Sequence, residues 1–152
     1  MWREASCAGP AISRPCALTD ARMLFVDTSV WIDYFNGAET PGAARLDAAL
    51  GQRQILLGDL VLAELLSGFT TEREARVALD WLSPFDCVTI GGPDLAVAAA
   101  SNYRYLRRKG ATVRKTIDLL IGTYCLVHDH ELLHSDRDFE PLSRYLGLRV
   151  PD

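Results

Sequence analysis

Residues 24–31 read Leu24-Phe25-Val26-Asp27-Thr28-Ser29-Val30-Trp31, and the rest of the chain is read from them. Consecutive apolar side chains without alternation fit a short strand covered on both faces, as in a parallel sheet. Asp27 closes that strand. Thr28 or Ser29 can cap a following helix, which carries Val30, Trp31, Ile32, Tyr34 and Phe35 and stops at Asn36-Gly37. A buried strand, a polar edge and an amphipathic helix form the opening unit of an α/β fold.

The same alternation continues downstream. A helix is predicted from Pro41 to Leu50, then a strand from Gln54 to Leu57, then a helix that Asp59 caps and Gly68 stops. Thr71-x-x-Glu74 is box-like and opens a helix ending near Pro84. Cys87 to Ile90 reads as a third strand, and Pro93 starts a long helix reaching Gly110. Thr116 should cap a helix to about Val127. Leu132 to His134 follows as a strand, Phe139 to Tyr145 as a short helix, and Leu148 to Val150 as a last strand. Strands alternating with helices imply a mainly parallel sheet with helices packed on it. Residues 1–22 show neither periodicity, so they read as a disordered leader or an upstream extension, and one domain is expected over 23–151.

With 152 residues, 49% apolar and 24% charged, the chain is an ordinary globular domain. Its longest apolar runs are far shorter than the ~20 residues a helical membrane span needs. A net charge of −4 excludes a chain coated in basic charge, so nucleic-acid binding would need a local patch. Arg104, Arg107, Arg108, Lys109, Arg114 and Lys115 supply one, in a stretch without acids; a solvated helix end explains it equally well. Cys87 and Cys125 lie in apolar segments and suit a reducing, cytoplasmic compartment. His128, His130 and His134 lack the spacing of a zinc site and read as exposed loop residues.

Acidic residues stand where carboxylates are awkward. Asp27 ends an apolar strand, Glu64 interrupts Leu60 to Leu66, Asp118 precedes Leu119-Leu120-Ile121, and Asp136 follows Leu132-Leu133. A carboxylate among aliphatic side chains loses hydration and either becomes neutral or finds a cation. In an open parallel sheet, the carboxyl ends of the strands face one crevice, so these four can converge there. Two such charges ~4 Å apart repel by about 4 kcal/mol at an effective dielectric near 20, and a shared cation removes that cost. Oxygen-only ligation selects Mg²⁺ or Mn²⁺ over zinc. Singly, each of Asp27, Asp118 and Asp136 has a plain structural job as a cap or turn residue. Glu64 has none. An acidic, metal-holding crevice beside a basic strip fits phosphodiester hydrolysis.

The segments Leu24 to Trp31, Leu62-Ala63-Glu64-Leu65-Leu66-Ser67-Gly68, Asp118 to Ile121 and Ser135-Asp136-Arg137-Asp138-Phe139 resemble PIN-domain ribonucleases, most of all VapC-type toxins of bacterial toxin–antitoxin pairs. The resemblance spans Met23 to about Pro151, and it implies a PIN-like three-layer α/β/α fold with a central, mainly parallel sheet. It implies a Mg²⁺-dependent endoribonuclease (Mn²⁺ being the alternative ion) that cuts RNA with metal-activated water. Its partners would be an RNA substrate and a cognate antitoxin, with a homodimeric toxin forming a heterotetramer or larger complex. Position by position, Asp27, Glu64, Asp118 and Asp136 match the acidic set, Asp138 matches a further acid, and Thr28 or Ser29 matches a hydroxyl that helps hold water. Arg104, Arg107, Arg108, Arg114 and Lys115 are candidate phosphate contacts. Two other readings compete: a phosphohydrolase of haloacid-dehalogenase type, whose second carboxylate would stand where Ser29 is, and a non-catalytic module gripping a partner through its Trp-bearing helices.

Overall fold

A computed structural model describes residues 22–152, so the leader expected over 1–22 lies outside the described residues except for Arg22. The elements are β1 (Leu24–Val26), α1 (Thr28–Phe35), α2 (Pro41–Ala49), β2 (Ile55–Gly58), α3 (Asp59–Ser67), α4 (Glu72–Leu82), β3 (Asp86–Val88), α5 (Pro93–Arg108), α6 (Thr116–Val127) and β4 (Glu131–Leu133). A 3₁₀ turn (Arg137–Phe139) and α7 (Glu140–Leu146) follow. The strands form one sheet in the order β3-β2-β1-β4, and every pairing is parallel. Phe25 is fully buried between its pairing partners Leu56 and Leu132, as the unbroken apolar run requires.

This order positions the site. The chain steps from β1 to β2 to β3 in one direction, then crosses back to place β4 on the other side of β1. Right-handed crossovers therefore put α1 to α4 on one face of the sheet and α5 and α6 on the other. In keeping with this, α1 packs on α2 and α3, while α5 packs on α6. The direction reverses between β1 and β4, and a parallel sheet opens its ligand crevice outside the carboxyl ends of such a strand pair. Asp27 follows β1 directly, and Asp136 follows β4 by three residues.

Several local expectations need correction. Neither Thr28 nor Ser29 caps α1; Asp27 does, accepting the Ser29 N–H. Asp59 is the first residue of α3 and not its cap, and its Oδ1 instead takes the N–H groups of Leu60 and Ile90. Thr116 is likewise inside α6, whose cap position holds Lys115 with no side-chain cap bond. The last strand shrinks to one parallel bridge, Arg149 to Glu131, with the Leu132 N–H bonding the Arg149 carbonyl. Thr71 does cap α4, accepting the Glu74 N–H and donating its hydroxyl to the Glu74 carboxylate, a side-chain bond in place of the backbone half of a box. Of the histidines, only His128 is exposed; His130 and His134 are half-buried, and His134 packs on Phe139 with ring centroids 4.9 Å apart. Burial holds both imidazoles below their ordinary pKa.

The core beneath α1 is aromatic. Trp31 is fully buried and meets Phe35, Trp81 and Phe85 at centroid distances of 6.1, 5.8 and 5.5 Å. On the opposite layer, Gly122 lets α7 approach α6, since a Cβ there would stand 2.5 Å from Leu142 Cδ2. An open groove of ≈ 640 Å³ runs past α1 and α4, lined in part by Tyr34, Phe69, Val77 and Trp81.

Candidate metal centre

Local backbone devices deliver the acids, and two of them are helix caps. Asp27 caps α1, Asp118 lies in the first turn of α6, and Asp136 caps the 3₁₀ turn that contains Asp138. The plain structural jobs foreseen for Asp27, Asp118 and Asp136 are thus all performed, yet they also gather the side chains. Asp118, Asp136 and Asp138 each place a carboxylate oxygen within 4.8 Å of the others. Asp118 and Asp138 are buried, and one oxygen of each, Oδ2 in both cases, accepts no hydrogen bond from any described residue. Buried carboxylate oxygens without donors are costly, and a cation is the partner that satisfies them.

Asp27 and Glu64 stand beside this triplet. The negative charge of Asp27 adds to that of Asp136 and Asp138 in disfavouring ionisation of Asp118, and Glu64 does the same to Asp27. Burial is the larger cause in both cases. It raises Asp27 above its ordinary range and pushes Asp118 up to about 6, against the opposing pull of Lys115. Asp136 moves the other way, held low by the Asp138 N–H and by Lys115.

The two hydroxyls have distinct partners. Ser29 Oγ donates to Asp27 Oδ2 at 2.6 Å and accepts the Ser135 N–H at 3.1 Å, so it ties the ends of β1 and β4 together. Thr28 Oγ1 donates to Glu64 Oε2 at 2.5 Å, joining α1 to α3. Both hydroxyls therefore fix acids.

The basic strip divides in two. Arg104, Arg107 and Arg108 are exposed on the last turns of α5, and Arg107 and Arg108 lie over Tyr103 and Tyr105. Arg114 and Lys115 are turned onto the acids: Arg114 Nη2 is 3.1 Å from Asp138 Oδ1, and Lys115 Nζ is 2.6 Å from Asp136 Oδ2 and 3.6 Å from Asp118 Oδ2. Sequence reasoning grouped these five as one surface. The α5–α6 loop that separates them carries no periodic signal that could have shown the split.

Comparison with known proteins bears on the same crevice. The PIN domain is matched over residues 24–144, which includes all five acids. VapC ribonuclease Mb1587 of Mycobacterium bovis and Ribonuclease VapC11 of Mycobacterium tuberculosis are each 27% identical over 130 residues, covering 84% of this chain and 97% of the relative. The fold is shared with VapBC2 from Rickettsia felis, solved bound to a promoter DNA fragment (TM-score 0.67, 19% identity, 85% of this chain and 97% of that one). It is also shared with FitAcB from Neisseria gonorrhoeae (TM-score 0.65, 17% identity, 86% and 97%). With its acids at the switch point of a four-stranded parallel sheet and this match across most of its length, the chain belongs to the PIN domain family.

Proposed function

We propose that this protein is a metal-dependent endoribonuclease of VapC type, the toxin of a toxin–antitoxin pair, with Mg²⁺ or Mn²⁺ as its ion. The observation that carries this reading is the triplet Asp118, Asp136 and Asp138, with two buried oxygens that accept no hydrogen bond from any described residue. An all-carboxylate set suits a hard divalent cation. When bound, such an ion supplies charge compensation, acidifies water and stabilises negative charge on a phosphoryl oxygen.

The chain's own residues prepare this chemistry. Asp118, Asp136 and Asp138 would hold the ion, with Asp27 and Glu64 completing the acidic wall and orienting the attacking water. Ser29 locks the Asp27 carboxylate through its hydroxyl and backbone N–H, and Thr28 locks Glu64. Arg104, Arg107 and Arg108 extend a basic surface along α5 that suits an RNA backbone. The haloacid-dehalogenase reading fails at Ser29, where a second carboxylate is required and a hydroxyl bound to Asp27 is found.

A cognate antitoxin is the partner this reading carries, with a homodimeric toxin as its counterpart. The names of the relatives support it, and the apolar groove past α1 and α4 offers a partner surface. A cytoplasmic location belongs to the same reading, in keeping with the buried free thiol of Cys125. No helix among the described residues is long and apolar enough to cross a membrane.

The test is metal dependence in the full chain. Adding Mn²⁺ at about a hundred times its dissociation constant should stabilise the fold by about 2.7 kcal/mol, read as a higher Tm. The same addition should switch on cleavage of total RNA, and chelation should abolish it. An unchanged Tm together with metal-indifferent RNA would favour the binding-module reading. Mapping RNA 5′ ends after brief expression would then identify the cleaved site.

Ser29→Ala tests the positioning role. Losing the Asp27 bond and leaving the Ser135 N–H without its acceptor should cost about 1–3 kcal/mol in urea denaturation. Cleavage should fall by about 10–100-fold, the range expected when a ligand's supporting hydrogen bond is lost. Full activity in Ser29→Ala would assign the hydroxyl to packing alone.

A further inference from the structure

Lys115 occupies a position that the helix it precedes does not favour. It stands at the cap of α6, makes no side-chain cap bond there, and brings a positive charge to the positive end of the helix dipole. Its ammonium group nevertheless sits between two acids, 2.6 Å from Asp136 Oδ2 and 3.6 Å from Asp118 Oδ2, which accepts no hydrogen bond from any described residue. Arg114 does the equivalent for Asp138. Two cations thus face the three carboxylates of the triplet.

We propose that Lys115 is a resident cation of this site, competing with the divalent ion for Asp118 and Asp136 and so setting the metal affinity. The inference rests on reading the triplet as the metal site. Three clustered carboxylates need a counter-charge before any metal arrives, and the lysine supplies one. Its side chain is 59% exposed on a flexible four-carbon stem, so it can withdraw into solvent when a dication takes its place. A divalent ion and an ammonium group a few ångströms apart repel even in water, so the presence of either on these acids disfavours the other. An ordinary surface ion pair would contribute almost nothing and would leave metal binding unchanged when removed.

Mn²⁺ titration of the full chain, by calorimetry and by the resonance of free Mn²⁺, separates these cases. Lys115→Gln should bind Mn²⁺ roughly tenfold more tightly than the wild type. Lys115→Arg, which keeps the charge, should stay near the wild-type value. Lys109→Gln makes the same charge change on the exposed surface just beyond α5 and should shift affinity by less than about twofold. Unchanged or weaker binding in Lys115→Gln overturns the proposal. Mn²⁺ binding that survives Asp118→Asn would sink the metal site itself, and this inference with it. Binding lost in Asp118→Asn but equal in Lys115→Gln and wild type would sink only the role of the lysine.

Discussion

Asp118→Asn is expected to lose RNA cleavage by at least roughly a thousandfold while melting at a higher temperature than the metal-free wild type at pH 7.5. The two effects share one cause. Burial and the neighbouring acids push the Asp118 carboxyl up to about 6, so at neutral pH the fold bears the cost of holding it ionised. A raised folded-state pKa contributes stability that is present below the unfolded value near 3.8 and is lost as pH rises through about 6. Asparagine keeps the shape and removes the charge, which should return about 1–3 kcal/mol at pH 7.5. The gain should vanish when both proteins are melted near pH 4, where the wild-type carboxyl is protonated. Saturating Mn²⁺ should reverse the order, because only the wild type gains the ion. Thermal melts at the two pH values, with and without Mn²⁺, check each arm. A variant that cleaves RNA normally, or melts lower than the metal-free wild type at pH 7.5, would contradict the assignment. Asp27→Asn should also be inactive, since the same crevice would lose an acid.

Trp31→Ala should destabilise the protein by about 3–5 kcal/mol, the range for deleting a large buried aromatic side chain. Trp31 is fully buried in α1, and its ring fills the space between Phe35, Trp81 and Phe85. Its backbone N–H bonds the Asp27 carbonyl, so the helix that it anchors is the one that aims Asp27. A typical domain has only about 5–15 kcal/mol in total, so the variant should populate unfolded chain at modest urea concentration. Trp31→Phe is expected to cost far less, within about 1.5 kcal/mol. The indole Nε1–H is buried and finds no partner among the described residues, so its removal relieves a desolvation cost that offsets part of the lost volume. Equal losses in the two variants would show that the indole edge, and not the packed ring, holds the helix.

Much of the architecture was legible because local signals agreed with the global fold. The unbroken apolar run at Leu24 to Val26 announced a strand buried on both faces, and Phe25 is fully buried between two parallel neighbours. Gly37, Gly68 and Pro93 marked helix limits to within a residue or two. The caps were harder. Thr28, Ser29, Asp59, Asp27 and Thr116 are all competent residues, and the choice among them depends on where the strand releases the chain. For α6 the answer was that no side chain caps it, because the cap residue is a lysine turned onto the acids.

The acids show the same division at the level of the site. Asp27, Glu64, Asp118 and Asp136 can be singled out from covalent order, because a charge in or beside an apolar run is improbable wherever it lies, whereas Asp138, in a polar stretch, entered only through the family resemblance. Grouping them is another matter. That Asp118, Asp136 and Asp138 form the tight triplet follows from the crossover that sets β4 against β1 and from the 3₁₀ turn that folds Asp138 back behind Asp136. Long-range packing likewise separated Arg114 and Lys115 from the arginines of α5, which share their sign and their stretch of chain. Charge sign and hydropathy are properties of single residues and survive in one dimension. Distance between residues 91 positions apart, as Asp27 and Asp118 are, exists only once the sheet has closed.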